Sequence, residues 1–189
     1  MIYLDNAATT SVRREAYEKM LPYFIDYYEN PSGAYESAVN VHNAMEESRE
    51  NIASLIGATK DEIVFTSGGT EADNYAIKGC AFMYKDKGRH IITTKIEHHA
   101  VLNSCGFLEE NGYDITYLDV DEYGVVKLDR LEDAIRPDTI LISVMMANNE
   151  IGTIQPIEEI GAIAKKRGVL FHTDAVQAIG AVKINVQDM

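Results

Sequence analysis

The spacing of apolar residues changes near residue 60. Before it, Val41, Met45, Ile52, Leu55 and Ile56 recur at intervals of three, four and seven, which marks one face of a helix. That helix should stop at Ile56, because Gly57 follows and glycine readily takes the left-handed cap. Upstream, Ser11 can cap a helix running to about Tyr28, and Asn30-Pro31-Ser32-Gly33 reads as a turn. Beyond residue 60, short apolar runs alternate with helical periods. The runs Ile63–Phe65, His90–Thr94, Ile115–Leu118, Ile140–Met145 and Val169–Thr173 predict strands. Helices are predicted over 71–84, 98–111, 128–135 and 157–166.

Strand–helix alternation predicts an α/β fold: three layers, with a mainly parallel sheet flanked by helices. The pattern divides the chain into a helical arm and entry segment over 1–60 and a sheet-bearing region over 61–189. In such sheets ligands sit beyond the carboxyl ends of the strands. The polar residues at those ends are Ser67-Gly68-Gly69-Thr70, Glu97-His98-His99, Asn148-Asn149-Glu150 and Asp174-Ala175-Val176-Gln177. Four separate segments therefore deliver polar groups to one edge.

Each segment offers a particular chemistry. Thr66-Ser67-Gly68-Gly69-Thr70-Glu71 joins a strand to a helix, so its backbone N–H groups and hydroxyls can cradle a phosphate. It lacks both GxGxxG and the Gly-Lys-Ser/Thr of a nucleotide loop, which favours a single phosphate; the same residues also serve as a tight turn with a helix cap. Asp174 can cap a helix or set its carboxylate against a cationic ring nitrogen. Gln177, three residues on, would share its face in a helical turn. His98 and His99 open a helix, where an imidazole is disfavoured as a cation and a neutral ring can stack and move a proton. Asn148 and Asn149 read equally as an ordered turn or as donors to a ligand. His42, His90 and His172 read as structural.

Charge narrows the partners. The chain carries 17 basic and 30 acidic residues, a net charge of -13, which argues against nucleic acid. No apolar run approaches the roughly 18 residues of a membrane span, and the first residues do not read as a secretory signal. Cys80 and Cys105 lack CxxC spacing and read as structural. No HExxH or comparable pattern suggests a catalytic metal.

Taken in order, the motifs Tyr3–Thr10, Asn30-Pro31-Ser32, Phe65–Glu71, Glu97–Val101, Asn148–Gly152 and His172–Gln177 resemble those of the NifS/IscS-type cysteine desulfurases. These belong to aminotransferase class V, within the fold-type I pyridoxal-phosphate enzymes. The resemblance spans nearly the whole chain. It implies the incomplete large domain of such an enzyme, with pyridoxal 5'-phosphate as cofactor. The backbone at Gly69 and the Thr70 hydroxyl would hold its phosphate. His98 would stack on the ring and take part in proton transfer, and Asn149 would bond the ring oxygen or the substrate carboxylate. Asp174 would pair with the pyridine nitrogen, and Gln177 with the phenolic oxygen.

The implied reaction takes sulfur from L-cysteine, leaving L-alanine, and passes it as a persulfide to iron–sulfur cluster or tRNA-thiolation pathways. The implied partners are a second copy in a homodimer and a sulfur acceptor or scaffold protein, in the cytoplasm. Alternatives are another class V enzyme, such as a selenocysteine lyase or an aminotransferase, or a catalytically incompetent cofactor- or partner-binding piece. In the family a Ser-x-His-Lys segment beyond the aspartate supplies the cofactor lysine. Residues 175–189 contain no such motif, and Lys183 stands in a different context. The resemblance therefore implies an amino-terminal part that does not complete the cycle alone. It also implies that the Ile63–Phe65 strand pairs with strands formed beyond residue 189.

Overall fold

A computed structural model describes residues 2–189. They form two compact units. One comprises the chain up to Val64 together with Ile184–Gln187; the other comprises Phe65–Lys183 with Asp188–Met189.

The first unit is helical. Its helices are α1 (Arg14–Met20), α2 (Pro22–Ile25) and α3 (Glu36–Ile56). The single helix expected from Ser11 to Tyr28 is replaced by α1 and α2. The chain is still extended at Arg13, and Pro22, which has no N–H to donate, takes the first position of a new helix. The turn at Asn30 forms: Gly33 N–H donates to the Asn30 carbonyl at 2.9 Å, and Ser32 N–H to its side-chain oxygen at 2.9 Å. α3 ends as expected, with Gly57 in the left-handed region at φ 71°. Of the apolar positions on α3, Val41 is buried, whereas Leu55 is 62% exposed.

The second unit holds a four-stranded parallel sheet, with strands β1 (His90–Thr94), β2 (Asp114–Leu118), β3 (Thr139–Ser143) and β4 (Leu170–His172) in the order β2-β1-β3-β4. Every neighbouring pair is parallel. The connections are helical: α4 (Gly69–Met83) leads into β1, α5 (His99–Glu110) into β2, α6 (Leu128–Ala134) into β3 and α7 (Ile157–Arg167) into β4. Residues 63–65 form no strand. Val64 and Phe65 are 64% and 46% exposed, and a short apolar run does not by itself make a strand.

All residues of β1 and β3 are buried, as expected when helices cover both faces of a parallel sheet. On one face Ile77 and Ala81 of α4 and Val101, Cys105 and Leu108 of α5 pack with Ile91, Ile115 and Leu141. α7 buries Ile157, Ile160 and Ala164 and packs beside β4 and α6. Gly88 permits the chain to pass the Asp138 carbonyl; a Cβ there would lie 2.1 Å from that oxygen.

Candidate functional site

Parallel strands deliver every following loop to the same edge, so the polar segments after β1, β3 and β4 start side by side; the Ser67–Thr70 segment follows no strand. After β4, the backbone carbonyl of Asp174 accepts from Met146 N–H at 2.8 Å, which extends the pairing of β3 and β4 past the strand ends. The Asp174 side chain is 8% exposed. Its Oδ1 accepts from Val176 N–H at 2.9 Å, and the chain then closes one turn through Ala178 N–H and Ile179 N–H to the Ala175 carbonyl. Gln177 lies in that turn and is exposed.

The loop after β3 is organised by Asn148. Its amide nitrogen donates to the Ile96 carbonyl at 2.8 Å, and its oxygen accepts from Glu150 and Ile151 N–H at 2.9 and 3.0 Å. Asn148 is thus the turn residue, tying this loop to the one after β1. Asn149 is half-buried, and its amide reaches only as far as Glu150 Oε1 at 3.1 Å.

After β1, Glu97 is buried. Thr94 Oγ1 donates to it at 2.7 Å, and Met145 N–H lies 3.0 Å from both carboxyl oxygens. His98 is exposed and caps α5. Its Nδ1 accepts from Ala100 N–H at 3.1 Å, so Nδ1 carries no proton in this arrangement and the remaining ring N–H sits on Nε2.

At the start of α4, Gly68 is the cap residue, and the first helical bond runs from Ala72 N–H to the Gly68 carbonyl. The N–H groups of Gly69, Thr70 and Glu71 precede it, in the part of a helix that has no internal acceptors. Ser67 N–H donates to Glu71 Oε2 at 2.6 Å. Gly69 brings this helix start against the Asp174–Gln177 turn: a Cβ on it would stand 2.8 Å from Val176 Cγ2. Thr70 is exposed one position on.

The loops carrying His98, Asn149, Asp174 and Gln177 start at this edge, Gly69 and Thr70 reach it through the close approach of Gly69 to Val176, and Asn148 links two of the loops. Beneath them lies a feature that sequence reasoning missed. Asp73, on α4, is 4% exposed, and its Oδ1 lies 3.6 Å from His172 Nε2. His172 Nδ1 pairs with Ser143 Oγ at 2.9 Å. Burial, with the nearby Asp174 charge adding to it, pushes the Asp73 carboxyl up to about 7. Burial likewise raises Glu97 to about 7, against the hydrogen bonds from Thr94 and Met145. His172 is pushed down by burial, opposed by Asp174. The available signal was spacing: Asp73, Ile77 and Ala81 fall at i, i+4 and i+8, the buried side of α4.

Lys95, the lysine in the loop after β1, pairs with Asp119 at 2.6 Å. Among the described residues no group of three His, Cys, Asp or Glu side chains could hold a metal ion. No helix of the described chain is long and apolar enough to cross a membrane.

The family model for aminotransferase class-V matches residues 2–189. The chain belongs to that family. It is 58% identical over 188 residues to cysteine desulfurase IscS of Methanosarcina thermophila, covering all of this chain and 46% of that protein. It is 54% identical to a putative cysteine desulfurase, IscS 1, of Bacillus subtilis, covering 99% of this chain and 49% of that one. The chain thus spans about half the length of the curated relatives it matches. Among solved structures, SspA in complex with cysteine superposes with a TM-score of 0.96 at 46% identity, over 98% of this chain and 54% of that one. A NifS-like protein superposes at 0.95 with 41% identity, over 98% and 52%. The α/β class expected from the alternation of elements, and the parallel sheet flanked by helices, match these class-V structures.

Proposed function

We propose that this chain carries the cofactor-binding edge of a pyridoxal-phosphate-dependent cysteine desulfurase. One observation carries the reading. At one sheet edge, a buried carboxylate with no lysine or arginine partner among the described residues lies close to a helix start with unclaimed N–H groups. That pair of features suits a ring that is cationic at one end and phosphorylated at the other. When bound, pyridoxal phosphate supplies a pyridinium ring that accepts electrons from the substrate.

The chain's own residues divide the work. The N–H groups of Gly69 and Thr70, with the Thr70 hydroxyl, hold the phosphate at the positive end of α4. Asp174 faces the ring nitrogen and keeps its proton in place. A charge-assisted hydrogen bond of that kind contributes about 1.5–3 kcal/mol. Gln177 donates to the phenolic oxygen, and Asn149 to the ring oxygen or the substrate carboxylate. His98 covers the ring face and offers Nε2–H as a donor. To receive a proton, its Nδ1 must first release Ala100 N–H.

The substrate in this reading is L-cysteine, the product L-alanine, and the sulfur leaves as a persulfide. Neither cysteine of the chain suits that last role. Cys105 is fully buried and its thiol is pushed up to about 12, chiefly by burial; the Cys80 thiol is also raised by burial. A thiol held protonated is a poor nucleophile. In this reading the persulfide cysteine is neither Cys80 nor Cys105. A homodimer partner, a sulfur-acceptor or iron–sulfur scaffold protein, and a cytoplasmic setting belong to the same reading.

Competition tests it. Pyridoxal phosphate added to the chain should bind saturably, and inorganic phosphate should displace it. Thr70→Ala should weaken binding roughly tenfold to a hundredfold, as expected for one lost hydrogen bond to a charged group. Alanine should not form from L-cysteine with this chain alone. Binding indifferent to both phosphate and Thr70→Ala would remove the phosphate cradle from the account.

A further inference from the structure

Behind the proposed cofactor edge lies a row of polar side chains that the reaction as described does not use. His172 of β4 registers with Ser143 of β3, and Ser143 with Thr93 of β1. Asp73 of α4 faces the end of that row, its Oδ1 3.6 Å from His172 Nε2. Ser143 and Thr93 are fully buried, and the Thr93 hydroxyl has no hydrogen-bond partner. Polar groups in a core are costly unless they bond one another. A Ser143–His172–Asp73 chain two residues from Asp174 therefore needs a reason to be there.

The charged surroundings are one-sided. Asp73 faces His172 on β4, Asp174 beyond it, and Glu97 from the loop after β1. α5 brings the Cys105 thiol near Glu97, with Glu109 beyond it, and β3 brings the uncharged Ser143. Three buried carboxyl groups beside a neutral imidazole, with no lysine or arginine paired to them among the described residues, are disfavoured from all being ionised at once. Two arrangements become open to the chain when the 3.6 Å contact between Asp73 and His172 closes to hydrogen-bond distance. In the first, the Asp73 carboxyl donates to His172 Nε2, and Nδ1–H donates to Ser143 Oγ. In the second, the Asp73 carboxylate accepts from Nε2–H, and the Ser143 hydroxyl donates to Nδ1. The second holds one proton fewer, which has passed to solvent.

We propose that Asp73 is a positioning residue whose proton is governed by the charge at Asp174, so that a cation docking on Asp174 converts the first arrangement into the second and releases one proton. This rests on the reading of Asp174 as the partner of a ring cation. Its consequence is that the imidazole behind the site reverses its tautomer as the cofactor arrives, and Asp174 keeps a fixed negative charge toward the ring.

Carbon-13 NMR of the Asp73 side-chain carboxyl tests the coupling without any cofactor. In the wild-type chain it should titrate near neutrality. In Asp174→Asn the midpoint should fall by about one unit or more, the size expected on removing a neighbouring like charge. An Asp73 that titrates in the ordinary carboxylate range, or that ignores Asp174→Asn, overturns the proposal. Should that variant fail to fold, the wild type and Asp73→Asn are compared for stability between pH 4 and 7: a shallower pH slope in Asp73→Asn supports the proposal, and an unchanged slope overturns it.

Pyridoxal phosphate is then added, with heats of binding measured in two buffers of different ionisation enthalpy. Release of roughly half a proton near pH 7, where this carboxyl is about half protonated, and none of it in Asp73→Asn, supports the proposal. Binding that releases the same protons in both proteins overturns it. No binding in either would sink the cofactor reading, and the Asp174→Asn titration still decides the coupling.

Discussion

The long helix α3 and the central strands β1 and β3 bury their residues very differently. Of the 21 residues of α3 only Ala38, Val41 and Ala53 are buried, whereas all ten residues of the two strands are. Both regions are rich in apolar side chains. In the arm, Phe24, Ile25, Tyr28 and Leu55 are exposed; in the sheet, the apolar residues are covered from both sides. Apolar composition is therefore a poor guide to where stability resides. What counts is whether a second element lies across the face, and isolated helices are marginal without one.

Cutting into each region should reveal that inequality. Ile92→Ala, at a fully buried position of β1, should cost about 2–5 kcal/mol in urea unfolding. Leu55→Ala on α3, where the side chain is 62% exposed, should cost no more than about 0.5 kcal/mol. Amide exchange should follow the same order, with β1 and β3 protected far longer than α1 and α2.

Acid should act on the sheet unit rather than the arm. Asp73 and Glu97 have folded-state pKa values raised to about 7 from ordinary values of 3.8 and 4.5. A carboxyl raised in this way binds its proton more tightly when folded. Its contribution is complete below about pH 4 and is lost as pH rises towards 7. Stability should therefore fall between pH 4.5 and 7, by on the order of a few kcal/mol for the two groups together. A pH series of urea midpoints for the wild type and for Glu97→Gln measures it, and the variant should show a shallower fall.

A smaller effect separates the local devices. The Thr59–Glu62 capping box of the arm, with Thr59 N–H and Oγ1 each 2.8 Å from Glu62 Oε2, is exposed. Thr59→Ala should cost about 0.5–1 kcal/mol, read from the thermal midpoint.

The same contrast explains what was legible in the sequence. The four observed strands and the helices between them were readable because β-branched runs and helical periods alternate cleanly there, and the packing agrees with that local preference. Ile63–Phe65 was read as a strand from composition alone, yet a strand also needs a partner. The break at Pro22 was missed, because a proline also fits the first position of a new helix. In the site, the loop ends could be found because a parallel sheet fixes where loops begin. Asn148 and Asn149 could not be told apart: which amide holds the turn depends on the Ile96 carbonyl, about fifty residues away in the chain. Asp73 stayed hidden because an aspartate on a helix normally reads as part of a solvated face. Only its alignment with Ile77 and Ala81 said otherwise.

The claim on which the functional account turns is that Asp174 is the counter-charge for a cationic ring. Titrating pyridoxal phosphate into the wild-type chain and into Asp174→Ala, followed by the cofactor's absorbance, addresses it directly. The account predicts saturable binding to the wild type and at least about tenfold weaker binding to the variant, the loss of one charge-assisted bond. Equal affinity for a variant that keeps its fold would contradict it.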